Sequence, residues 1–352
     1  MKEYYHKILN LFPLVCIIYL LTGCDRKDED IFQNDNWQTI YQNDDLELYS
    51  ISFLDKDNGF VMADSSGIHV TNDWKFVLWT EDGGNTWYHI TCSTYDTVNE
   101  FPLYDIGSIF PISLNVLLTT GDQVHKSIDK GKTWVNVSPQ LRGSTINDVH
   151  IIDSITWLVA KGNHIVRTNN GGQTWQTVFQ TDFMGAFDRF SFPSTNVGYA
   201  NIGVKDYDHA LSAGLILKTI DSGVTWTVMD PEPWKSGEVS IPYICALQFI
   251  TEEIGYISTF DEYKLYKSID GGNNWTLVHN NNNSIGLEYF ISENIGYYSN
   301  GDTIFVTGDG GKKWKIDYYN TTLNSDILTW TFVDTGKGYA LTRDHRIIKK
   351  IK

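Results

Sequence analysis

From about residue 36 to the C-terminus, hydrophobic positions fall in short runs separated by polar turns in which glycine recurs. Two such runs, Leu215-Ile216-Leu217-Lys218 and Trp226-Thr227-Val228-Met229, flank a single glycine turn. A third kind of run lies upstream in most units and closes near Gly-Tyr. Its copies are Phe53 to Phe60, Phe192 to Tyr199, Phe249 to Tyr256, Phe290 to Tyr297 and Phe332 to Tyr339. Runs this short, punctuated by glycine, predict β-strands joined by tight turns.

The turns repeat. Six segments share the pattern Ser/Thr-x-Asp-x-Gly-x-Thr-Trp or a near variant: Thr80–Trp87, Ser127–Trp134, Thr168–Trp175, Thr219–Trp226, Ser268–Trp275 and Thr307–Trp314. Their third positions are Asp82, Asp129, Asn170, Asp221, Asp270 and Asp309, at intervals of 39 to 51 residues. In such a turn the Asp side chain accepts backbone N–H bonds, and glycine supplies positive φ at little steric cost. The indoles of Trp87, Trp134, Trp175, Trp226, Trp275 and Trp314 are expected to fill the gap between neighbouring units. Each unit then reads as four short strands, and four-stranded units at this period predict propeller blades.

A seventh unit is split. Thr329–Val333, Gly338–Leu341 and Arg346–Lys349 supply three strands, and then the chain ends without a turn of the repeated type. Near the other end, Asn36-Trp37-Gln38-Thr39-Ile40 resembles the strand that follows a turn, as in Thr174-Trp175-Gln176-Thr177-Val178. The expected fold is therefore all-β: one seven-bladed propeller over residues 36–352, its last blade closed by the N-terminal strand. Closure removes the unpaired sheet edges that invite aggregation.

The first 35 residues read as an address. Lys2 and Lys7 precede an apolar run, Leu11 to Leu21, that is short for a membrane span and suits a signal peptide. It ends in Leu21-Thr22-Gly23-Cys24, which resembles the lipobox of bacterial lipoproteins. That resemblance implies a signal peptide over 1–23 and lipidation of Cys24. The charged tether over 24–35, beginning Asp25-Arg26-Lys27-Asp28-Glu29-Asp30, is similar to export signals of surface lipoproteins. The expected location is the bacterial cell envelope, lipid-anchored, at the outer membrane or the cell surface beyond it.

Composition narrows the chemistry. The chain has 352 residues, 43 acids against 27 bases, a formal net charge of −16 and 14% aromatic residues. Such acidity argues against nucleic acid as a partner, because phosphate binding rests on a basic surface. The nine His form no HExxH, no Cys/His set has zinc spacing, and the Gly-Gly pairs belong to the turns, so neither metal nor cofactor is expected. Cys92 and Cys245 are left either to pair in an oxidising compartment or to remain free thiols.

The six turns resemble the Asp-box, or BNR, repeat of sialidases, sortilin-type receptors and xyloglucanase-type glycosidases. The aromatic run closing on Gly-Tyr, joined to Thr-x-Asp-Gly-Gly-x-Thr-Trp, is most similar to propellers of the photosystem II stability/assembly-factor kind. A sialidase would need three converging arginines, but only Arg26, Arg142, Arg167, Arg189, Arg343 and Arg346 exist, and no Phe/Tyr-Arg-Ile-Pro motif occurs. The assembly factors are associated with an arginine-rich patch that this acidic chain does not reproduce.

Asp-box turns join the third and fourth strands of a blade, so the loops between strands two and three, and between blades, emerge on the opposite face. The long ones are Ala63–Lys75, Thr91–Asp105, Asn201–Gly214 and Asp230–Tyr243. Long loops on a rigid scaffold carry binding residues. Here they bear Trp74, Tyr95, Tyr104, Tyr207, His209 and Trp234, with Asp206 and Asp208 beside them. The expected function is non-catalytic binding of an extracytoplasmic protein or glycan by a lipid-anchored scaffold. The alternative is a glycoside hydrolase using two carboxylates among acids such as Asp206, Asp208, Asp230 and Glu232.

Overall fold

A computed structural model describes residues 36–65, 75–94, 107–141, 143, 145–182, 185–206, 211–231, 233–234, 241–259, 264–280, 288–320 and 325–352. Its secondary structure is β-strand apart from one 3₁₀ turn, Pro139–Leu141. The strands form seven sheets, the blades of a seven-bladed β-propeller.

Strand β1 (Trp37–Gln42) enters first and is used last. Blade 1 follows with β2 (Leu46–Phe53), β3 (Gly59–Ser65), β4 (Lys75–Thr80) and β5 (Tyr88–Thr91). Blade 2 holds β6 (Ser93–Thr94), β7 (Ile109–Pro111), β8 (Leu117–Thr120), β9 (Val124–Ser127) and β10 (Thr133–Asn136). Blade 3 holds β11 (Ile146–Ile151), β12 (Trp157–Lys161), β13 (His164–Thr168) and β14 (Gln176–Gln180). Blade 4 has β15 (Gly185–Ser191), β16 (Gly198–Asp206), β17 (Leu211–Thr219) and a short β18 (Thr227–Val228). Blade 5 has β19 (Ile244–Phe249), β20 (Gly255–Thr259), β21 (Lys264–Ser268) and β22 (Thr276–Asn280). Blade 6 has β23 (Glu288–Phe290), β24 (Gly296–Asn300), β25 (Thr303–Thr307) and β26 (Lys315–Tyr319). Blade 7 consists of β27 (Ile327–Asp334), β28 (Lys337–Thr342) and β29 (Arg346–Lys350), with β1 antiparallel to β29 as its outer strand. The expected closure is present.

Two local expectations change. Residues 93–94, expected within a long loop, form β6 and run parallel to β10 as a fifth strand of blade 2. The hairpin β16–β17 keeps its pairing from Gly198↔Thr219 out to Asp206↔Leu211, so strand replaces most of the loop expected over 201–214.

The core is a set of layers between blades. Leu48, Val61 and Leu78 of blade 1 pack with Tyr339, Leu341 and Ile347 of blade 7, and similar clusters recur around the ring. The run ending in Gly-Tyr explains itself at this level. Phe249 closes the inner strand of blade 5 and lies across Gly255, where a Cβ would sit 2.6 Å from the ring. Its other face stacks on Tyr199 of blade 4, centroids 3.4 Å apart. Phe290 stacks in the same way on Tyr256, and Phe53 on Tyr339 across the closure. The Tyr hydroxyls then donate to the next blade: Tyr199 to the Glu252 and Gly271 carbonyls, Tyr339 to that of Gly83.

The six Asp-boxes share one hydrogen-bond pattern. In the first, Thr80 Oγ1 donates to Asp82 Oδ1 and accepts from Gly84 N, while Asp82 Oδ1 accepts from Thr86 N, each at 2.8 Å. Asn170 fills the role with its amide oxygen. Each box also bonds to the turn between strands one and two of its own blade, as Gly271 N does to Glu253 O. Both sets of turns therefore lie on one face.

Candidate functional site

Of the residues expected on the long-loop face, Trp74, Tyr95, Tyr104, Tyr207, Asp208 and His209 lie outside the described residues, as do Cys24 and all of residues 1–35. Asp206 ends β16, its backbone paired with Leu211. Trp234 is placed, and it points inward. It is 7% exposed and meets Tyr266 edge-on at 5.2 Å, within the layer that holds Ile244 and Leu247. An indole buried to that degree belongs to the layer between blades and is not free to stack on a ligand. Cys92 and Cys245 are not joined by a disulfide. Burial pushes the Cys92 thiol up to about 11, which leaves it protonated and inert at neutral pH.

Among the described residues a different set of ionisable groups stands on the first strands of blades 3, 4 and 6, around the axis. Asp148 of β11 accepts hydrogen bonds from Val149 N at 2.9 Å and, across the blade boundary, from Phe190 N at 2.7 Å. Asp188 of β15 accepts from Asn201 Nδ2 at 3.1 Å, and Arg189 stands near both carboxyls. Glu288 begins β23 beside Ser258 of blade 5. Burial raises Asp148 and Asp188 to about 6 and Glu288 to about 7. Removal from water penalises the charged form, and the nearby donors and cation offset only part of that penalty. His150, its ring stacked on Phe192 at 3.9 Å, is pushed by burial down to about 4.

Sequence reasoning missed Asp148 and Asp188 because their inner strands are bulged. Register shifts interrupt β2 between Leu48 and Ser50, β11 between Ile146 and Asp148, β15 between Phe187 and Phe190, and β19 between Ile244 and Ala246. A bulge inserts an extra residue and re-aims the side chains beside it, so alternation no longer reports which face a residue takes. The one legible signal is that charged residues interrupt the aromatic runs, as Asp188-Arg189 does before Phe190.

Other inner-strand polar groups hold the ring together. Ser191 Oγ accepts from Phe249 N at 2.7 Å, and Gln248 exchanges two hydrogen bonds with the backbone of Phe290. The four arginines among the described residues lie in blades 3, 4 and 7. Arg343 pairs with Asp326 at 3.2 Å and Arg346 with Asp344 at 2.5 Å, both in blade 7, while Arg167 adjoins the box of blade 3. Among the described residues no group of three or more His, Cys, Asp or Glu is placed to hold a metal ion.

No protein-family model matches this sequence. The chain is 21% identical over 360 residues to the photosystem II assembly lipoprotein Ycf48 of Prochlorococcus marinus strain MIT 9312, covering 99% of each. To the Ycf48 of strain MIT 9313 it is 23% identical, over 97% of this chain and 95% of the relative. Among solved structures, a Ycf48 bound to a D1 peptide superposes with a TM-score of 0.65 at 16% identity, over 91% of this chain and 98% of that one. A xyloglucanase from Xanthomonas campestris gives 0.58 at 13% identity, over 87% of this chain and 59% of its own. The chain is a seven-bladed propeller that is similar along its length to photosystem II assembly lipoproteins.

Proposed function

We propose that this chain is a non-catalytic, lipid-anchored propeller that binds a segment of another protein outside the cytoplasmic membrane and serves as an assembly scaffold. The supporting observation is the end-to-end match to assembly lipoproteins, which spans the leader with Cys24 as well as the blades. A propeller of the same fold holds a D1 peptide. By analogy the partner of this chain is a peptide segment, taken on the long-loop face by Trp74, Tyr95, Tyr104, Asp206, Tyr207, Asp208 and His209; a glycan is the other ligand that aromatic rings on such a rim would take. Fold similarity leaves the chemistry of a site free to vary, so the partner's identity is not carried over. Anchoring through Cys24 would hold the propeller at the outer membrane, periplasmic or surface-facing.

The test is photocrosslinking in cells from an unnatural amino acid at Tyr207 or Tyr95, read by mass spectrometry. A single protein partner captured from both sites is the expected result; capture from neither refutes the proposal. Labelling with a radioactive fatty acid, lost in Cys24→Ala, tests the anchor separately.

One observation favours the hydrolase reading. Glu288, raised by burial to about 7, keeps a protonated fraction at neutrality, as a general acid must, while Asp188 near 6 is mostly carboxylate there. Hydrolysis of xyloglucan or a sialoside, abolished by Glu288→Gln with the fold intact, would establish it.

A further inference from the structure

We infer that a hollow between blades 4 and 5, on the Asp-box face, is a second binding surface for an extended protein segment that carries both aliphatic and basic side chains. It lies opposite the long-loop face and stands independently of the function proposed there.

The apolar part has no structural cause. The second position of the box is solvent-facing, and Glu81, Asn169 and Gly308 occupy it in three of the six boxes. The turn therefore makes no demand for an aliphatic residue there. Yet Ile128, Ile220 and Ile269 occupy the other three, each 70% exposed. Two of these, Ile220 and Ile269, belong to adjacent blades and line one hollow of about 460 Å³ together with Val197. An adjoining hollow of about 390 Å³ shares Ile220 and Lys218 and continues over Val228 and Met229. Exposed isoleucines that line one hollow mark an interaction site where isolated ones would not.

The rim is acidic. Glu252, Glu253 and Asp270 edge the first hollow and Asp230 the second. The cation present, Lys218, is drawn aside: its ammonium sits over the Tyr199 ring at 5.1 Å and donates to the Gly271 carbonyl at 3.3 Å. Exposed aliphatic side chains beside carboxylates are complementary to a segment that lays aliphatic side chains against them and Lys or Arg alongside. An anionic lipid surface would meet the same carboxylates as repulsion.

The walls are built in advance. Tyr199 donates to the carbonyls of Glu252 and Gly271, and Ser194 Oγ donates to Glu252 Oε1 at 2.7 Å. These bonds fix blade 5's turns against blade 4, so binding does not have to order the hollow.

The experiment is fluorescence anisotropy of the full-length protein with a labelled heptapeptide of alternating Leu and Lys. Wild type is compared with Ile220→Asp/Ile269→Asp, with Glu252→Lys/Glu253→Lys, and with Ile128→Asp as a control for folding and for exposed isoleucine in general. Both double variants are expected to weaken binding at least tenfold, with Ile128→Asp unchanged and a Leu/Glu heptapeptide not bound. Equal loss in Ile128→Asp, no loss in the double variants, or equal binding of the Leu/Glu peptide would each overturn the inference. So would co-sedimentation with phosphatidylglycerol vesicles that depends on Ile220 and Ile269, which would assign the surface to lipid.

Discussion

Trp37 and Asp317 stand 280 positions apart in the chain, and the indole Nε1 donates to the carboxylate at 2.8 Å. The same carboxylate accepts from Asn36 Nδ2 at 2.7 Å and from Lys350 Nζ at 3.3 Å. One side chain of blade 6 thus holds the first strand and the last strand of blade 7 together. Lys350 is 8% and Asp317 5% exposed at the side chain, so this is a buried pair within a hydrogen-bonded set. Breaking such a pair from one side leaves an uncompensated buried charge, which costs roughly 3–5 kcal/mol. Asp317→Leu should lower unfolding free energy by about that amount, read by urea denaturation. The double variant Asp317→Leu/Lys350→Met should recover much of the loss, because no charge is then stranded.

The stacked Tyr–Phe pairs between blades make a second expectation. Tyr199→Phe keeps the ring on Phe249 and removes only the hydroxyl that reaches two carbonyls of blade 5. Loss of buried partners of this kind costs about 1–2 kcal/mol. Gly255→Ala presses a methyl into Phe249 and should cost about 1–3 kcal/mol by overpacking. Gly308→Ala, with nothing within 4 Å of the added Cβ, is the comparison and should be nearly neutral. Thermal unfolding of the three variants distinguishes packing from a general glycine effect.

The scaffold was legible because its devices are local. A box needs a hydroxyl, a carboxylate and a glycine at fixed spacing, and Phe249, Gly255 and Tyr256 hold their spacing because the ring lies over the glycine. Closure was legible because Trp37 copies the strand that follows a box. Asp148 and Asp188 were not, since bulges around Asn147 and Asp188 break the period that would have assigned them a side. Trp234 was misread for a simpler reason: loop position says nothing about the direction of a ring, and Tyr266 and Ile244 offered it a dry place.

The boxes make the fold sensitive to acid. Hydrogen bonds from Thr86 N lead in holding Asp82 below the usual carboxylate range, as those from Lys313 N do for Asp309. At Asp129, Asp221 and Asp270 burial pushes upward, but hydrogen bonds within the box outweigh it and the net direction is again down. A carboxyl depressed on folding contributes stability that is full above its unfolded value, about 4, and is lost as pH falls through the folded value. Stability should therefore drop below about pH 4. Asn170→Asp installs a carboxylate that accepts from Thr174 N, where an amide oxygen now accepts. It should raise the midpoint of unfolding at pH 7 and not at pH 3.

The inner-strand carboxyls act in the opposite sense. Glu288 near 7 and Asp188 near 6 are raised by burial above their unfolded values, so the folded chain binds more protons than the unfolded chain between about pH 4 and 7. Their contribution is full below the unfolded value and is lost as pH rises through the folded one. His150, depressed by burial to about 4, runs the other way: its contribution is full above about 6.5 and fades as pH falls toward 4. A neutral isostere removes the carboxyl effect. Glu288→Gln should leave stability at pH 4 nearly unchanged and raise it at pH 8 by about 1–2 kcal/mol, the scale of a partly screened shift of this size. Asp188→Asn should behave similarly, while Asp148→Asn should destabilise at both pH values because its carboxylate oxygens hold Val149 N and Phe190 N. Urea unfolding at the two pH values separates the cases: a gain for Asp148→Asn at pH 8 would mean that its bonds to blade 4 do not hold the ring.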